Sequence, residues 1–280
     1  MATYHVVGVM SGTSLDGLDL VVCMLYKDKE RWRYRIQKAR TVVYDESMIK
    51  FLSETPEYSG SQLESRNIEF GNYIGKEVTG FLKENGLKAD LVASHGHTIF
   101  HQPQIGLTYQ LGSGAAIASK SVITTISDFR SLDVLNGGQG APLVPVGDEY
   151  LFGDYRFCLN LGGFSNVSYD ENKKRIAFDI CPVNIFINLI CRKMELEYDD
   201  KGKMASRGQV NQVLLNRLNG LDYYQQKHPK SLSREWLETT FIPVVENFRL
   251  SAEDTLRTVY EHFAMQIASV LNKHSGGKTL

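Results

Sequence analysis

Two polar turns in this sequence carry the residue types that bind phosphate groups. The first, Gly12-Thr13-Ser14-Leu15-Asp16-Gly17, stands between two strand-like runs. Glycine lets backbone N–H groups approach an anion closely, and the Thr and Ser hydroxyls add further donors. The second turn, Gly162-Gly163-Phe164-Ser165-Asn166, repeats the pattern in the other half of the chain. Each turn alone also fits an ordinary hairpin, but the pair favours a two-lobed clamp on a nucleotide.

Acidic and imidazole side chains suggest two kinds of metal site. Asp16 and Asp19 can hold a hydrated magnesium ion, which prefers carboxylate and water oxygens. His95, His97 and His101 raise the alternative of a zinc site. We expect these histidines to cross a strand end and a loop, with no Cys or acidic ligand nearby, so the pattern favours a polar pocket over zinc. The chain has no G-x-x-x-x-G-K-[ST] pattern and is therefore not a P-loop protein.

The elements that must position these turns predict an α/β protein. Tyr4–Val9 and Leu18–Leu25 read as a hairpin, and the apolar period of Gln62–Asn85 predicts a long amphipathic helix. The Gly- and Pro-rich stretch Asn136–Pro145 is irregular and marks a lobe boundary. We assign residues 1–132 to an N-terminal lobe with the first turn. Residues 133–280 then form a C-terminal lobe with the second turn and several helices.

Composition excludes several classes of protein. The chain has 280 residues and a net charge of -1, which argues against nucleic-acid binding. No apolar run reaches the roughly 18 residues of a membrane span, and no basic segment precedes the first strand. We therefore expect a cytoplasmic protein with no membrane partner. The four cysteines form no C-x-x-C pair and are expected to be reduced.

The motifs, taken in order, resemble the anhydro-N-acetylmuramic acid kinase family across nearly the whole chain. The matching blocks are Gly8-Val9-Met10-Ser11-Gly12-Thr13-Ser14-Leu15-Asp16-Gly17-Leu18-Asp19, Ser94-His95-Gly96-His97-Thr98, Asp128-Phe129-Arg130, Gly137 to Pro145, Asn160 to Asn166, Phe178-Asp179, Pro182, Asn184 and Pro229-Lys230-Ser231. The resemblance implies a two-lobed ribonuclease-H-like fold of the actin and sugar-kinase type. It also implies that ATP lies between the lobes, with Gly12 to Asp19 around its phosphates and magnesium as the expected cation.

The resemblance further implies an amino-sugar substrate and a role for single residues. Water opens the 1,6-anhydro ring of N-acetylmuramic acid while the freed 6-oxygen accepts the γ-phosphoryl group, as in cell-wall recycling. Asp179 stands at the base position after a predicted strand, although a turn or helix-capping aspartate is the alternative. His97 and Asn184 match substrate-cleft blocks. Arg130 suits the lactyl carboxylate, with a surface or inter-lobe ion pair as the alternative.

The sequence departs from the family pattern after the base. Ile180-Cys181-Pro182-Val183 lacks two glycines, Asn188 replaces an aspartate, and Leu232-Ser233 replaces Thr-Gly. The Gly277-to-Leu280 end suggests that a further strand is missing and that the C-terminal lobe is incomplete. These departures support an alternative function, a catalytically altered nucleotide- or sugar-binding homologue. A glycosidase using Asp16 and Asp179 is a third hypothesis. The family also suggests a homodimer.

Overall fold

The chain divides into two units in a computed structural model that describes residues 2–272 and 279–280. Unit 1 is Met1–Val144 and unit 2 is Pro145–Leu280. The division falls after residue 144, within the predicted boundary stretch, and not after residue 132. The segment 133–144 is linked to the rest of unit 1 through Arg130, whose Nη1 donates to the Gly140 carbonyl oxygen at 2.6 Å. Within the segment, Asp133 accepts a 2.6 Å hydrogen bond from the Gly140 N–H.

Unit 1 contains one mixed sheet with helices. Its strands are β1 (Thr3–Ser11), β2 (Gly17–Asp28), β3 (Arg31–Val43), β4 (Leu91–Gln102), β5 (Leu107–Leu111) and β6 (Thr124–Ser127). Its helices are α1 (Glu46–Glu54), α2 (Gly60–Glu84), α3 (Gly114–Ser121) and α4 (Ser131–Leu135). The strand order is β3-β2-β1-β4-β5, and β6 also pairs with β4. Strands β1, β2 and β3 form an antiparallel meander, β4 runs parallel to β1, and β6 runs parallel to β4. This is the expected ribonuclease-H-like topology.

The predicted hairpin and the predicted amphipathic helix form the centre of unit 1. β1 and β2 pair antiparallel from Thr3↔Tyr26 to Ser11↔Leu18, which confirms the hairpin around the first polar turn. Helix α2 begins two residues earlier than predicted and ends at Glu84. The fully buried side chains of α2 recur every three or four positions and pack in one core with Val7 and Val9 of β1. These α2 residues are Phe70, Ile74, Val78 and Phe81.

Gly17 begins β2 at a point where no side chain fits. A Cβ there would lie 2.7 Å from both the Thr41 Cγ2 and the Val42 carbonyl oxygen of β3. We predict that Gly17→Ala lowers the free energy of unfolding by about 1–3 kcal/mol through overpacking. Gly80→Ala is the matched control, because a Cβ at Gly80 in α2 meets only a side-chain oxygen at 3.9 Å. That variant should gain about 0.5–1 kcal/mol. Denaturant unfolding tests both, and equal effects would contradict the steric argument.

Unit 2 contains a second, smaller sheet and most of the helices in the described residues. Its strands are β7 (Phe157–Leu161), β8 (Phe164–Glu171) and β9 (Lys174–Pro182). The helices are α5 (Val144–Phe152), which starts at the unit boundary, α6 (Asn184–Lys193), α7 (Gln212–Asn219), α8 (Asp222–Gln225), α9 (Arg234–Trp236), α10 (Ile242–Glu246) and α11 (Ala252–Leu271). A π-helical turn, Leu237–Phe241, joins α9 to α10. The predicted helices after Pro182 are thus confirmed over the described residues.

The small sheet is an antiparallel meander with β8 in the middle. The sequence predicts a short strand at Arg175–Asp179, but β9 runs to Pro182 because β8 supplies pairing partners as far as Phe164. Thr279 forms a parallel bridge with Phe157, and the Leu280 N–H donates to the Phe157 carbonyl oxygen at 2.9 Å. The sequence predicts a final helix over Ser251–His274, of which residues 273 and 274 lie outside the described residues.

A buried polar network links the helices of unit 2 and makes their stability sensitive to acid. His262 is fully buried, with Nδ1 2.6 Å from the Asn219 Oδ1 and Nε2 3.0 Å from the Tyr224 hydroxyl. Burial lowers the pKa of His262 to about 3. Below the ordinary histidine pKa of 6.5, the unfolded chain therefore binds a proton that the folded chain excludes.

We predict that the free energy of unfolding falls as pH drops from about 6.5 toward 3, with His262 contributing up to about 1.4 kcal/mol per pH unit. Urea unfolding at pH 7.5 and pH 5 measures this slope. His262→Gln, which cannot titrate, should lose less stability than the wild type over the same interval. An equal loss in both proteins would assign the acid sensitivity to other groups.

None of the helices in the described part of the chain has the length and apolar character needed to cross a lipid bilayer.

Candidate functional site

The first polar turn of unit 1 presents free backbone donors. The Leu15 N–H closes the turn on the Gly12 carbonyl oxygen at 3.2 Å, and Leu15 adopts a left-handed backbone with φ 59°. The Ser14 Oγ donates to the Asp16 Oδ1 at 2.7 Å. Within the described residues, the N–H groups of Thr13 and Ser14 have no hydrogen-bond acceptor. An exposed turn with two such donors and two hydroxyls can bind an anion.

The residues after this turn divide between the two faces of the sheet. Leu18 is completely buried in the unit 1 core, so its side chain packs and cannot reach a ligand. Asp19 lies on the other face, where its Oδ1 accepts from the Thr41 hydroxyl. There it lines a cavity of about 610 Å³ together with Met10, His95 and Phe129. Asp19 and His95 of β4 therefore lie on the same surface of the sheet.

Asp16 is suited to hold magnesium beside bound phosphates. Its carboxylate is exposed at the turn and is engaged by a single neutral hydroxyl. Mg²⁺ usually takes one or two carboxylates and completes its shell with water and phosphate oxygens. Among the described residues, no group of three or more His, Cys, Asp or Glu side chains is arranged to bind a metal ion.

His95, His97 and His101 all lie on β4, which corrects the prediction that they cross a strand end and a loop. β4 continues to Gln102 because it pairs with β5 from His97↔Leu111 to Gln102↔Leu107. A bulge at Gly96, with φ 72°, separates His95 from His97. This part of β4 lies near the carboxyl ends of the parallel strands β1 and β6, the edge where open α/β sheets bind ligands.

His97 is held by a chain of hydroxyl groups that sequence reasoning missed. Its Nδ1 lies 2.9 Å from the Ser11 Oγ, and the Tyr44 hydroxyl donates to the same Oγ at 2.8 Å. All three residues are buried. Burial is the main cause that lowers the pKa of His97 to about 4, so the imidazole is neutral near pH 7.

Arg130 is half-buried and has no carboxylate partner within the described residues. Its Nε and Nη2 lie 3.0 and 2.8 Å from the His95 Nε2, and its Nη1 donates to the Gly140 carbonyl oxygen. Burial lowers the pKa of Arg130. Burial also lowers the pKa of His95, and the Arg130 charge lowers it further. The structure therefore shows a fixed cation with neutral partners, and the alternative of an ion pair for Arg130 finds no acidic partner there.

The second polar turn, in unit 2, is shorter than predicted. Only Gly162 and Gly163 form it, because Phe164 to Asn166 belong to β8. The carbonyl oxygens of both glycines accept hydrogen bonds from the start of α6, and the Asn184 amide donates to the Leu161 and Gly162 carbonyl oxygens at 2.9 and 3.0 Å. Within the described residues, the N–H groups of the two glycines have no acceptor. Asn184 thus fixes a turn whose donors face away from α6.

Asp179 lies within β9, and not between a strand and a turn as predicted. It pairs with Asn166, whereas Cys181 pairs with Ser165, so Ile180 is the extra residue of a β-bulge. Bulges often re-aim side chains next to active sites. The Asp179 Oδ2 accepts from the Leu232 N–H at 2.8 Å, and the Asp179 carbonyl oxygen accepts from the Tyr223 hydroxyl at 2.6 Å. The alternative of a turn or helix-capping aspartate is therefore wrong.

The electrostatics of Asp179 suit a base. Its side chain is half-buried and forms no ion pair within the described residues. Burial raises its pKa above the ordinary value, and the Leu232 N–H partly opposes that rise. Tyr223 packs with its ring 5.4 Å from that of Trp236, and it also anchors the backbone of Asp179.

The departures after Asp179 introduce no left-handed backbone, although Val183 adopts φ -134° and ψ -100°, outside the helix and strand regions. Neither Cys181 nor Val183 has a positive φ, so the loss of two glycines imposes no left-handed strain. Cys181 is buried against Ser165, with Sγ 3.2 Å from Oγ. Leu232 supplies a backbone N–H, which any residue except proline provides. Ser233 caps α9 by accepting from the Trp236 N–H.

Comparison with known proteins identifies relatives over nearly the whole chain. The family model described as anhydro-N-acetylmuramic acid kinase matches residues 4–280. The anhydro-N-acetylmuramic acid kinase of Synechococcus elongatus is 34% identical over 96% of this chain and 76% of its own length. That of Hydrogenovibrio crunogenus is 32% identical over 95% and 75%. A solved structure, the activator of the 2-hydroxyisocaproyl-CoA dehydratase from Clostridium difficile with bound ADPNP, has a TM-score of 0.40 at 12% identity, covering 96% of this chain and 75% of that one.

Proposed function

Because the chain belongs to the anhydro-N-acetylmuramic acid kinase family, we propose that it uses ATP to convert 1,6-anhydro-N-acetylmuramic acid into N-acetylmuramic acid 6-phosphate. Family membership makes it a kinase that takes a small amino sugar. The ring-opening step and a place in the recycling of cell-wall peptidoglycan are part of the proposal. Its consumption of ATP favours a cytoplasmic location.

The observation that carries the proposal is the environment of Asp179. A half-buried carboxylate with one backbone donor and no ion pair among the described residues keeps lone pairs free and has a raised pKa. Asp179 takes a proton from water while the water oxygen bonds to the anomeric carbon and the bond from that carbon to O6 breaks. The freed O6 bonds to the γ-phosphorus, and the bond from that phosphorus to ADP breaks. Water supplies the new hydroxyl on the anomeric carbon, so the atoms balance.

The remaining residues bind and orient the two substrates. The free N–H groups of Thr13, Ser14, Gly162 and Gly163 are suited to phosphate oxygens, since anions bind to unpaired backbone donors. Asp16 is the residue that would hold magnesium, which neutralises phosphoryl charge when bound. The guanidinium of Arg130, which has no acidic partner among the described residues, is suited to the lactyl carboxylate of the sugar, and His97 supplies a further polar contact.

Mass spectrometry of the product in ¹⁸O-labelled water tests the proposal. The protein, ATP, magnesium and 1,6-anhydro-N-acetylmuramic acid should yield a sugar heavier by one phosphoryl group and one water, with the label on the anomeric carbon. An unlabelled phosphorylated product would show phosphoryl transfer without ring hydrolysis. Ring opening without ATP would indicate a glycosidase. ATP and sugar binding without any product would favour the binding homologue.

The Leu232 N–H gives a test of the base through pH dependence. Asp179 acts only when deprotonated, and burial raises its pKa, so kcat/KM should fall as pH decreases through a value above the ordinary 3.8. The Leu232 N–H stabilises the carboxylate, so Leu232→Pro, which removes that donor, should move the acid limb to higher pH. Leu232→Ala keeps the N–H and should keep the limb in place. Identical shifts in both variants would point to lost packing.

A further inference from the structure

We infer that Ser11 and Tyr44 are positioning residues that fix the tautomer of His97, so that its Nε2–H points at an acceptor oxygen of the bound sugar. This inference rests on the proposed function for the identity of the ligand. The hydrogen-bonded chain itself is independent of the ligand. Neither Ser11 nor Tyr44 is a candidate to touch the sugar, because both are buried behind the histidine.

The direction of the chain follows from counting hydrogen atoms. Tyr44 donates its hydroxyl hydrogen to the Ser11 Oγ, which leaves the Ser11 hydrogen for the Nδ1 of His97. The reverse order would leave the Tyr44 hydrogen with no acceptor in the described residues, and an unpaired buried donor costs about 1–3 kcal/mol. His97 is neutral near pH 7, so an Nδ1 that accepts requires the hydrogen to be on Nε2.

The free nitrogen of His97 then lacks a partner. His97 is 5% exposed, and within the described residues its Nε2 has no hydrogen-bond partner. The ring faces Phe70 edge-on with centroids 6.5 Å apart, and the Ser11 Oγ holds its Nδ1 at 2.9 Å, which sets the direction of Nε2. The Nε2 is not among the fully buried polar atoms that lack a partner, so it reaches solvent. An N–H donor that has a fixed direction and reaches solvent can donate to a ligand oxygen.

The location of the chain agrees with this role. Ser11 is the last residue of β1 and pairs with His97 in the parallel β1–β4 register, immediately before the first polar turn. Tyr44 directly follows β3, and the Tyr44 N–H donates to the Asp16 carbonyl oxygen at 3.4 Å. One tyrosine therefore contacts both the end of the phosphate turn and, through Ser11, the sugar-facing histidine.

Nitrogen NMR of the imidazoles in the full chain tests the tautomer, with the His97 signals assigned by their loss in His97→Gln. The wild type should show a protonated Nε2 and an accepting Nδ1. Ser11→Ala should give a mixture of tautomers, and Tyr44→Phe a weaker Nδ1 hydrogen bond. A protonated Nδ1 in the wild type would overturn the inference. So would an unchanged His97 signal in Ser11→Ala.

Steady-state kinetics supply the second readout. Ser11→Ala and Tyr44→Phe should raise the KM for the sugar roughly 3- to 10-fold, the scale of one hydrogen bond, with a smaller change in the KM for ATP. His97→Gln, whose amide retains a donor, should raise the KM for the sugar less than His97→Phe. The control is Tyr73→Phe, because Tyr73 packs beside Tyr44 at 6.4 Å without a hydrogen bond to Ser11.

An equal rise in KM for Tyr73→Phe would contradict the inference, since it would assign the effect to packing. Absence of sugar phosphorylation by the wild type would count against the proposed function alone. The tautomer measurement needs no substrate, and an Nε2–H tautomer lost in Ser11→Ala would still support the chain.

Discussion

Asparagine at position 179 should lower kcat by about 10²- to 10⁴-fold, the usual contribution of a general base, while the protein stays folded and keeps its affinity for both substrates. The amide has the shape of the carboxylate, and its oxygen can still accept the Leu232 N–H, so the local structure has little reason to change. What is lost is the ability to take the proton from water. Single-turnover measurement of product, beside binding of the sugar and ATP, separates the two effects.

The control for this variant is Asp222→Asn. It makes the same chemical change on an exposed carboxylate adjacent to Tyr223, the residue whose hydroxyl anchors the Asp179 backbone. Asp222→Asn should retain wild-type turnover within about 3-fold. If Asp179→Asn also retained it, Asp179 would not be the base. Loss of folding in Asp179→Asn would show instead that the carboxylate charge stabilises the bulge at Ile180.

Local patterns were sufficient to predict the parts of the fold that are built from neighbouring residues. The hairpin around the first polar turn needs only two strand-like runs and a polar, glycine-containing link. The long helices follow from apolar period and capping, and Ser251 does cap α11 by accepting from the Asp254 N–H at 3.0 Å. These elements lie close to where their sequence signals begin and end, because their hydrogen bonds are formed within a few residues.

The predictions that were wrong concern elements whose pairing partners lie far away in the sequence. β4 extends through His101 only because β5 pairs with it, and β9 extends past Asp179 only because β8 pairs with β9. The sequence offers no sign that Tyr44 meets Ser11 across 33 residues or that Ser11 meets His97 across 86. Side-chain contacts of this kind follow from the sheet order, so they became visible only once the strands were in register.

Arg130 carries the second large prediction, in which stability and affinity respond differently. Its guanidinium is half-buried and contacts His95 and the Gly140 carbonyl oxygen. Within the described residues it has no acidic partner. A desolvated charge without a counterion is costly to the folded protein and becomes favourable when an anion binds. Arg130→Gln removes the charge but keeps an amide donor for one neighbour. We therefore expect a free energy of unfolding within about 1 kcal/mol of the wild type.

Binding should change far more in the same variant. Removing one member of a desolvated charge pair costs about 2–5 kcal/mol, so kcat/KM for the lactyl-bearing sugar should fall roughly 30-fold or more. The discriminating substrate is 1,6-anhydro-N-acetylglucosamine, the same sugar without the lactyl ether. It should be a poor substrate for the wild type and nearly equally poor for Arg130→Gln. If the variant lost activity toward both sugars to the same extent, Arg130 would act by ordering His95 and the Gly140 loop, and the carboxylate would be bound elsewhere.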